Sequence, residues 1–299
     1  MSLFDKLKGI FTGGSASKRL DVSSRFKFER HAFTGTMSKF RVAREIKTGK
    51  LFGIKFLDQE KLEVFRARFK GLNKPEEGEI AMQMEHPYIV KTYEYGLTTS
   101  GEEYILMEYI DGPGLNTLIS ERSQKLDGHQ LEFIRQMAEA IQALHDAGFI
   151  HRDICPRNFI VNRDMKWLKL IDFGLTVPNT PPFRLPGNRT GTPQYMAPEI
   201  VRRRDTDHTV DIFAFGVSAY RLLTFEHPWG STETSGLAAL AHDSKAHQPI
   251  EIHRPDIDPV LANAIHKCLK AKPENRMQSA KLFLHAIRDV ESAFVPSRT

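Results

Sequence analysis

The chain has 299 residues, 40% of them hydrophobic and 26% charged, an ordinary globular composition and long enough for two packed lobes with a ligand cleft between them. Its formal charge of +5 is spread over mixed Lys, Arg, Asp and Glu, and the one basic run, Arg202 to Arg204, is followed at once by Asp205 and Asp207; it reads as a solvated face, and no nucleic acid is expected as a partner. Cys155 and Cys268 stand far apart with no C-x-x-C spacing, which indicates neither a disulfide framework nor a zinc site and fits a reducing, cytoplasmic setting.

Met1 to Phe11 places Leu3, Phe4, Leu7, Ile10 and Phe11 on one side of a short helix, and Thr12 to Ser17 is a Gly/Ser/Thr-rich linker. Residues 1–25 are therefore expected to form a tethered tail, with peripheral contact to a membrane or partner through residues 1–11 as the minor reading. No apolar run approaches the ~18 residues that span a bilayer, so no transmembrane segment is expected.

From Phe26 to about Met107, short runs separated by turn signals at Thr48-Gly49 and Ser100-Gly101 predict strands joined by hairpins, with one inserted helix. From Gly114 onward the period changes. Leu131, Ile134, Met137, Ala138, Ile141 and Leu144 recur at three- and four-residue spacing, the pattern of a core-facing helix. The expected class is α+β, with an N-lobe over about 26–107, a hinge over 108–112, a C-lobe over 113–291 and a tail over 292–299.

Four short motifs follow one another in a fixed order: Ile54-Lys55, His151-Arg152-Asp153 with Asn158, Asp172-Phe173-Gly174, and Ala197-Pro198-Glu199. Any one of them is weak alone. Together they resemble the signature set of the eukaryotic-type protein kinase superfamily, over roughly Phe26 to Val290. Gly191 to Glu199 looks like the serine/threonine form of the segment. The resemblance implies a bilobal fold, with a small β-rich N-lobe carrying one main helix and a larger, mainly helical C-lobe. It also implies ATP and Mg2+ as cofactors and transfer of the γ-phosphate to Ser or Thr of a protein substrate. The alternative is a pseudokinase-like scaffold that binds ATP without transferring phosphate.

Phosphoryl transfer spreads negative charge over the moving group, so such an enzyme supplies cations and positioning more than covalent steps. Lys55 sits in the apolar run Leu51 to Ile54, where an isolated charge is costly without a partner. By the resemblance that partner is the ATP phosphates, and Glu77, ten residues before the proline of His86-Pro87, holds the lysine in place. Asp172 and Asn158 would hold Mg2+ through oxygen. Asp153 would orient the substrate hydroxyl and accept its proton, with Thr192 hydrogen-bonded to it. Cys155 stands where serine/threonine kinases carry a lysine, and Arg157 is expected to compensate. The thiol itself reads as a small filler beside the site, with a redox-sensitive role as the lesser reading. Glu199 is expected to pair with Arg276, and Asp211 to anchor the loop at His151.

The nucleotide would lie under Phe33 to Phe40, a departure from the family's glycine-rich loop because only Gly35 remains of its glycines. Gly35, Thr36, Phe40 and Gly53 are assigned to the nucleotide by position. Met107 is assigned as gatekeeper, with Glu108 and Ile110 as hinge residues facing adenine. Pro178 to Thr192 reads as a mobile activation loop, in which phosphate on Thr180 or Thr190 would draw Arg152.

Overall fold

The first lobe is made of hairpins. Strands β1 (Phe26–Thr34), β2 (Ser38–Glu45), β3 (Leu51–Leu57), β4 (Thr92–Leu97) and β5 (Glu103–Glu108) form one antiparallel sheet in the order β1-β2-β3-β5-β4. The computed structural model describes residues 19–34, 38–186, 190–230 and 238–294, with the side chains of 30–34, 238 and 243 excepted. Both turn signals close hairpins: Gly49 and Gly101 adopt φ of 70° and 86°, a region where a side chain would be strained. Successive residues of a strand face opposite sides. Phe52 and Ile54 pack on the outer side with Leu20, Phe26, Ala43, Tyr104 and Leu106, which turns Gly53 and Lys55 toward the second lobe.

Helix α1 (Val22–Arg25) precedes the sheet, and the helical insertion after β3 comes in two pieces, α2 (Gln59–Ala67) and α3 (Glu77–Gln83). Asp58 caps α2 by accepting from the Lys61 N–H at 3.3 Å. Asn73-Lys74-Pro75 separates the two pieces, because proline lacks the N–H a helix needs and drives the residue before it to extended backbone. Arg66 of α2 bridges the gap, bound to Glu76 at 2.8 Å and to Glu103 of β5 at 2.9 Å. The expectation of one main helix is thus met by two short ones held together by a guanidinium.

The second lobe contains α4 (Leu115–Ser120), α5 (Gln130–Asp146), α6 (Pro181–Arg184), α7 (Pro198–Val201), α8 (Thr209–Thr224), α9 (Ala241–Ser244), α10 (Pro259–Cys268) and α11 (Ala280–Ala286). Its two small sheets pair β6 (Phe149–Ile150) with β9 (Val177–Pro178) and β7 (Phe159–Val161) with β8 (Leu168–Leu170). The apolar stripe read in α5 is buried throughout, and α8 is buried around its whole circumference, as befits a helix at the centre of a lobe.

The lobes meet along β8. Leu170 donates to the Tyr88 carbonyl and accepts from the Val90 N–H, both at 2.9 Å. A Cβ on Gly112 would lie 1.9 Å from the Val161 carbonyl oxygen, so the hinge passes β7 too closely for any side chain. The packed unit is wider than the sequence boundaries of 26 and 291: Leu20 and Ala293 are both buried, and Asp258 donates to the Ala293 carbonyl at 2.9 Å. The segment 1–11, with its proposed amphipathic face, lies outside the described residues. No helix among those described is long and apolar enough to cross a membrane.

Candidate active site

The loop between β6 and β7 is set by a buried carboxylate. Asp211, in the first turn of α8, accepts from the backbone N–H groups of His151 and Arg152 at 2.7 and 2.8 Å, and its Oδ2 lies 2.9 Å from His145 Nε2. Burial alone would raise the Asp211 carboxyl; the bond from His145 and the neighbouring histidine and backbone donors outweigh it and hold the group below its ordinary value. These bonds also fix Arg152 at a φ of 67°, a left-handed conformation that costs a non-glycine residue about 1 kcal/mol. The turn aims Asp153 into the cleft.

There Asp153 Oδ1 accepts from both the N–H and the hydroxyl of Thr192 at 2.8 Å. Asn158 donates its side-chain amide to the Asp153 carbonyl at 2.7 Å, which leaves its own carbonyl oxygen for another partner. Arg157 donates to the Thr192 hydroxyl at 2.9 Å. Asp153, Thr192 and Arg157 therefore form one hydrogen-bonded chain across the mouth of the cleft.

Lys55 enters from β3. Its Nζ lies 2.5 Å from Glu77 Oε1 and 3.0 Å from Asp172 Oδ1. Burial would depress the ammonium, but the two carboxylates overcome it and hold Lys55 protonated above the ordinary lysine value. Burial pushes the Glu77 carboxyl up against the pull of that lysine, whereas Asp172, although desolvated, is held low by Lys55 and by the Gly174 N–H. The side chains of Lys55 and Glu77 are each 8% exposed and that of Asp172 is 43% exposed, so Asp172 is the member a ligand reaches. Asp172 Oδ1 also accepts from Gly174 N at 2.8 Å, and Oδ2 makes no hydrogen bond among the described residues.

A cavity of about 730 Å³ gathers these groups: Lys55, Glu77, Asp153, Arg157, Asn158, Asp172 and Thr192 all line it. Every residue expected to be catalytic thus faces one space. Five described residues of the nucleotide set, Phe40, Gly53, Met107, Glu108 and Ile110, lie outside that lining. Met107 pairs with Gly53 in the β3–β5 register, and a Cβ on Gly53 would stand 2.6 Å from the Phe40 ring and 3.2 Å from Met107 Cγ. The absent side chain at Gly53 makes room for the ring at Phe40. Glu108 is an inter-lobe clamp, with its carboxylate 2.5 Å from Lys169 Nζ on β8 and accepting from Lys91 N at 2.7 Å, and its N–H donates to the Lys91 carbonyl at 2.9 Å, so its side chain and N–H are both taken. Ile110 is buried. Gly35 and Thr36 lie outside the described residues.

Cys155 is 1% exposed, as a small filler is, and burial together with the Asp153 charge pushes its thiol up to about 11, the opposite of the low value that the lesser, redox-sensitive reading needs. The activation segment is not uniformly irregular: Pro181 starts α6, its fixed φ suiting a first turn, and Phe183 is buried with its ring centroid 5.9 Å from that of Phe69. Arg152, the residue that phosphate on Thr180 or Thr190 would draw, donates to the Phe183 carbonyl and, at 3.2 Å, to the Thr206 hydroxyl. Thr190 is buried and Thr180 exposed.

Sequence reasoning missed one wall of the cavity, made by Leu62, Phe65, Arg66, Phe69, Leu72 and Lys74. The only sequence signal there was the break at Lys74-Pro75. The more distant pairing did form: Arg276 meets Glu199 with two bonds of 2.7 and 3.0 Å, both side chains buried.

The protein kinase domain model matches residues 26–287, and the chain belongs to that family. It is 29% identical over 282 residues to the serine/threonine-protein kinase pkn3 of Myxococcus xanthus, covering 90% of this chain and 50% of that one. It is 27% identical over 288 residues to the serine/threonine-protein kinase PknA of Mycobacterium tuberculosis, covering 93% and 64%. An Aurora kinase of Saccharomyces cerevisiae is 31% identical over 255 residues, covering 84% and 65%. The chain thus spans half to about two thirds of the length of these relatives. Members of this family act with ATP and Mg2+, and a kinase domain implies a protein substrate.

Proposed function

We propose that this chain is a serine/threonine protein kinase that transfers the γ-phosphate of ATP to protein hydroxyls, in a cytoplasmic setting. The observation that carries the reading is the meeting of Lys55, Glu77, Asp153, Asn158 and Asp172 around one cavity. The donor set fits a hard divalent cation: among the described residues, one oxygen of the accessible Asp172 carboxylate and the Asn158 side-chain carbonyl make no hydrogen bond. Asp172 and Asn158 would hold Mg2+, which neutralises charge on the phosphate oxygens when bound. Lys55, fixed by Glu77, orients the phosphates. Asp153, oriented by Thr192, receives the proton of the attacking hydroxyl, and Phe40, Gly53 and Met107 shape the wall for the base.

The test is incubation of the purified chain with Mg2+, γ-labelled ATP and a general protein acceptor, beside Asp153→Ala. Label on Ser or Thr that falls at least about a hundredfold in the variant, the scale of lost general-base catalysis, supports the reading. Nucleotide binding with no label from either protein contradicts it and leaves a scaffold.

A further inference from the structure

Two of the cations lining the catalytic cavity have no acid. Lys55 is taken by Glu77 and Asp172, and Arg66 by Glu76 and Glu103. Arg157 donates only to the Thr192 hydroxyl, and Lys74 only to the Pro75 carbonyl at 3.0 Å; neither forms an ion pair among the described residues. Every acid on the same wall is engaged. Glu76 is bound by Arg66, Glu77 and Asp172 by Lys55, and Asp153 by Thr192 and Asn158.

We propose that Arg157 and Lys74 select the substrate: the favoured peptide carries acidic or phosphorylated side chains beside its acceptor Ser or Thr. This rests on the kinase reading and specifies its substrate class. The placement supports it. Thr192 Oγ1 donates to Asp153 at 2.8 Å and accepts from Arg157 at 2.9 Å, so the guanidinium stands one hydroxyl away from the carboxylate that orients the acceptor. An extended peptide advances about 3.5 Å per residue, which carries the neighbours of that acceptor past Arg157. The guanidinium is exposed and presents a planar fork suited to carboxylate or phosphate oxygens. Lys74 lies on the opposite, inserted wall against the rings of Phe65 and Phe69. Burial depresses its ammonium despite Glu76 and Glu77 nearby, a cost that an arriving anion relieves. A basic peptide meets like charge on both walls, which makes the preference repulsive as well as attractive.

The test compares three peptides that are identical except that the residues flanking the acceptor Ser are Glu, phosphoserine or Lys. The expected result is a kcat/KM about fivefold or more higher for the two anionic peptides than for the Lys peptide at low salt, narrowing as ionic strength rises. The phosphoserine arm against the Glu arm tells which anion is favoured. Arg157→Glu is expected to reverse the ratio. Should that variant fail to fold, judged by its melting curve, Lys74→Glu and the salt series read the same ratio. A Lys peptide used as well as the anionic ones, or a ratio unmoved by Arg157→Glu and Lys74→Glu, overturns the proposal while leaving transfer itself intact. Absence of transfer to every peptide and to the general acceptor overturns the kinase reading together with the preference.

Discussion

The ring of Tyr95 occupies the space in which a side chain at Gly78 would begin: a Cβ built on that glycine lies 2.5 Å from Tyr95 Cγ and 2.6 Å from its Cβ. The Cβ is fixed by the backbone, so no turn of the ring removes the contact at 2.6 Å. Gly78 follows Glu77 directly, and the closeness of α3 to β4 therefore sets how near Glu77 comes to Lys55. Glycine inside a helix costs about 1 kcal/mol relative to alanine, and here the contact it permits offsets that cost.

Gly78→Ala is accordingly expected to destabilise the fold by about 1–3 kcal/mol, the usual scale of overpacking, and to lower kcat by moving Glu77 away from Lys55. Thermal unfolding and steady-state kinetics check both. Tyr95→Ala in the same chain should recover part of each loss; if the single change proves neutral, the packing argument fails.

The pair of Arg276 and Glu199 joins α7 to the segment before α11, and Arg276 also donates to the carbonyls of Thr209, Lys270 and Ala271. Arg276→Met leaves a buried carboxylate and three carbonyls without their donor. We expect a loss of about 3–5 kcal/mol, as for other broken buried pairs, with Glu199→Leu added to it restoring part. Denaturant unfolding measures this. A loss under about 1 kcal/mol would show that the pair carries little.

Cys155 gives a prediction in pH. Its folded thiol titrates near 11, above its ordinary value. The unfolded chain therefore releases this proton first as pH rises, and the native state loses stability between the two values; below the ordinary value the group adds no pH dependence. Cys155→Ala should flatten the alkaline side of the stability curve relative to the unchanged chain. Alkylation of Cys155 in the folded protein should stay slow at neutral pH, and rapid labelling there would contradict its burial.

Much of the site was legible because its residues are tied to fixed spacings. The loop from His151 to Asn158 carries Asp153 and Asn158 only a turn apart, and Asp172 is placed by its Phe-Gly neighbours. Even Glu77, a register count across a broken helix, falls on Lys55. The hairpin turns were legible for a local reason, since Gly49 and Gly101 each supply a backbone conformation other residues resist. What escaped were the contacts between distant segments that no motif marks. Nothing near Gly53 announces the Phe40 ring, nothing near Phe183 announces Phe69, and the place of Lys74 on the cavity wall follows from how α2 and α3 fold back on each other. At Cys155 the small-filler reading agrees with its burial, whereas the lesser redox reading leaned on nearby cations in sequence, which say nothing of burial.

The proposed function requires that Lys55, Asn158 and Asp172, which line a single cavity, bind one nucleotide and its metal together. The most direct measurement is a calorimetric titration with a non-hydrolysable ATP analogue, with and without Mg2+, on the unchanged chain and on Asp172→Asn. The account predicts that Mg2+ tightens binding to the unchanged chain and that this gain is largely lost in Asp172→Asn. An affinity that Mg2+ leaves unaltered in the unchanged chain, or a gain that survives the substitution intact, would contradict it.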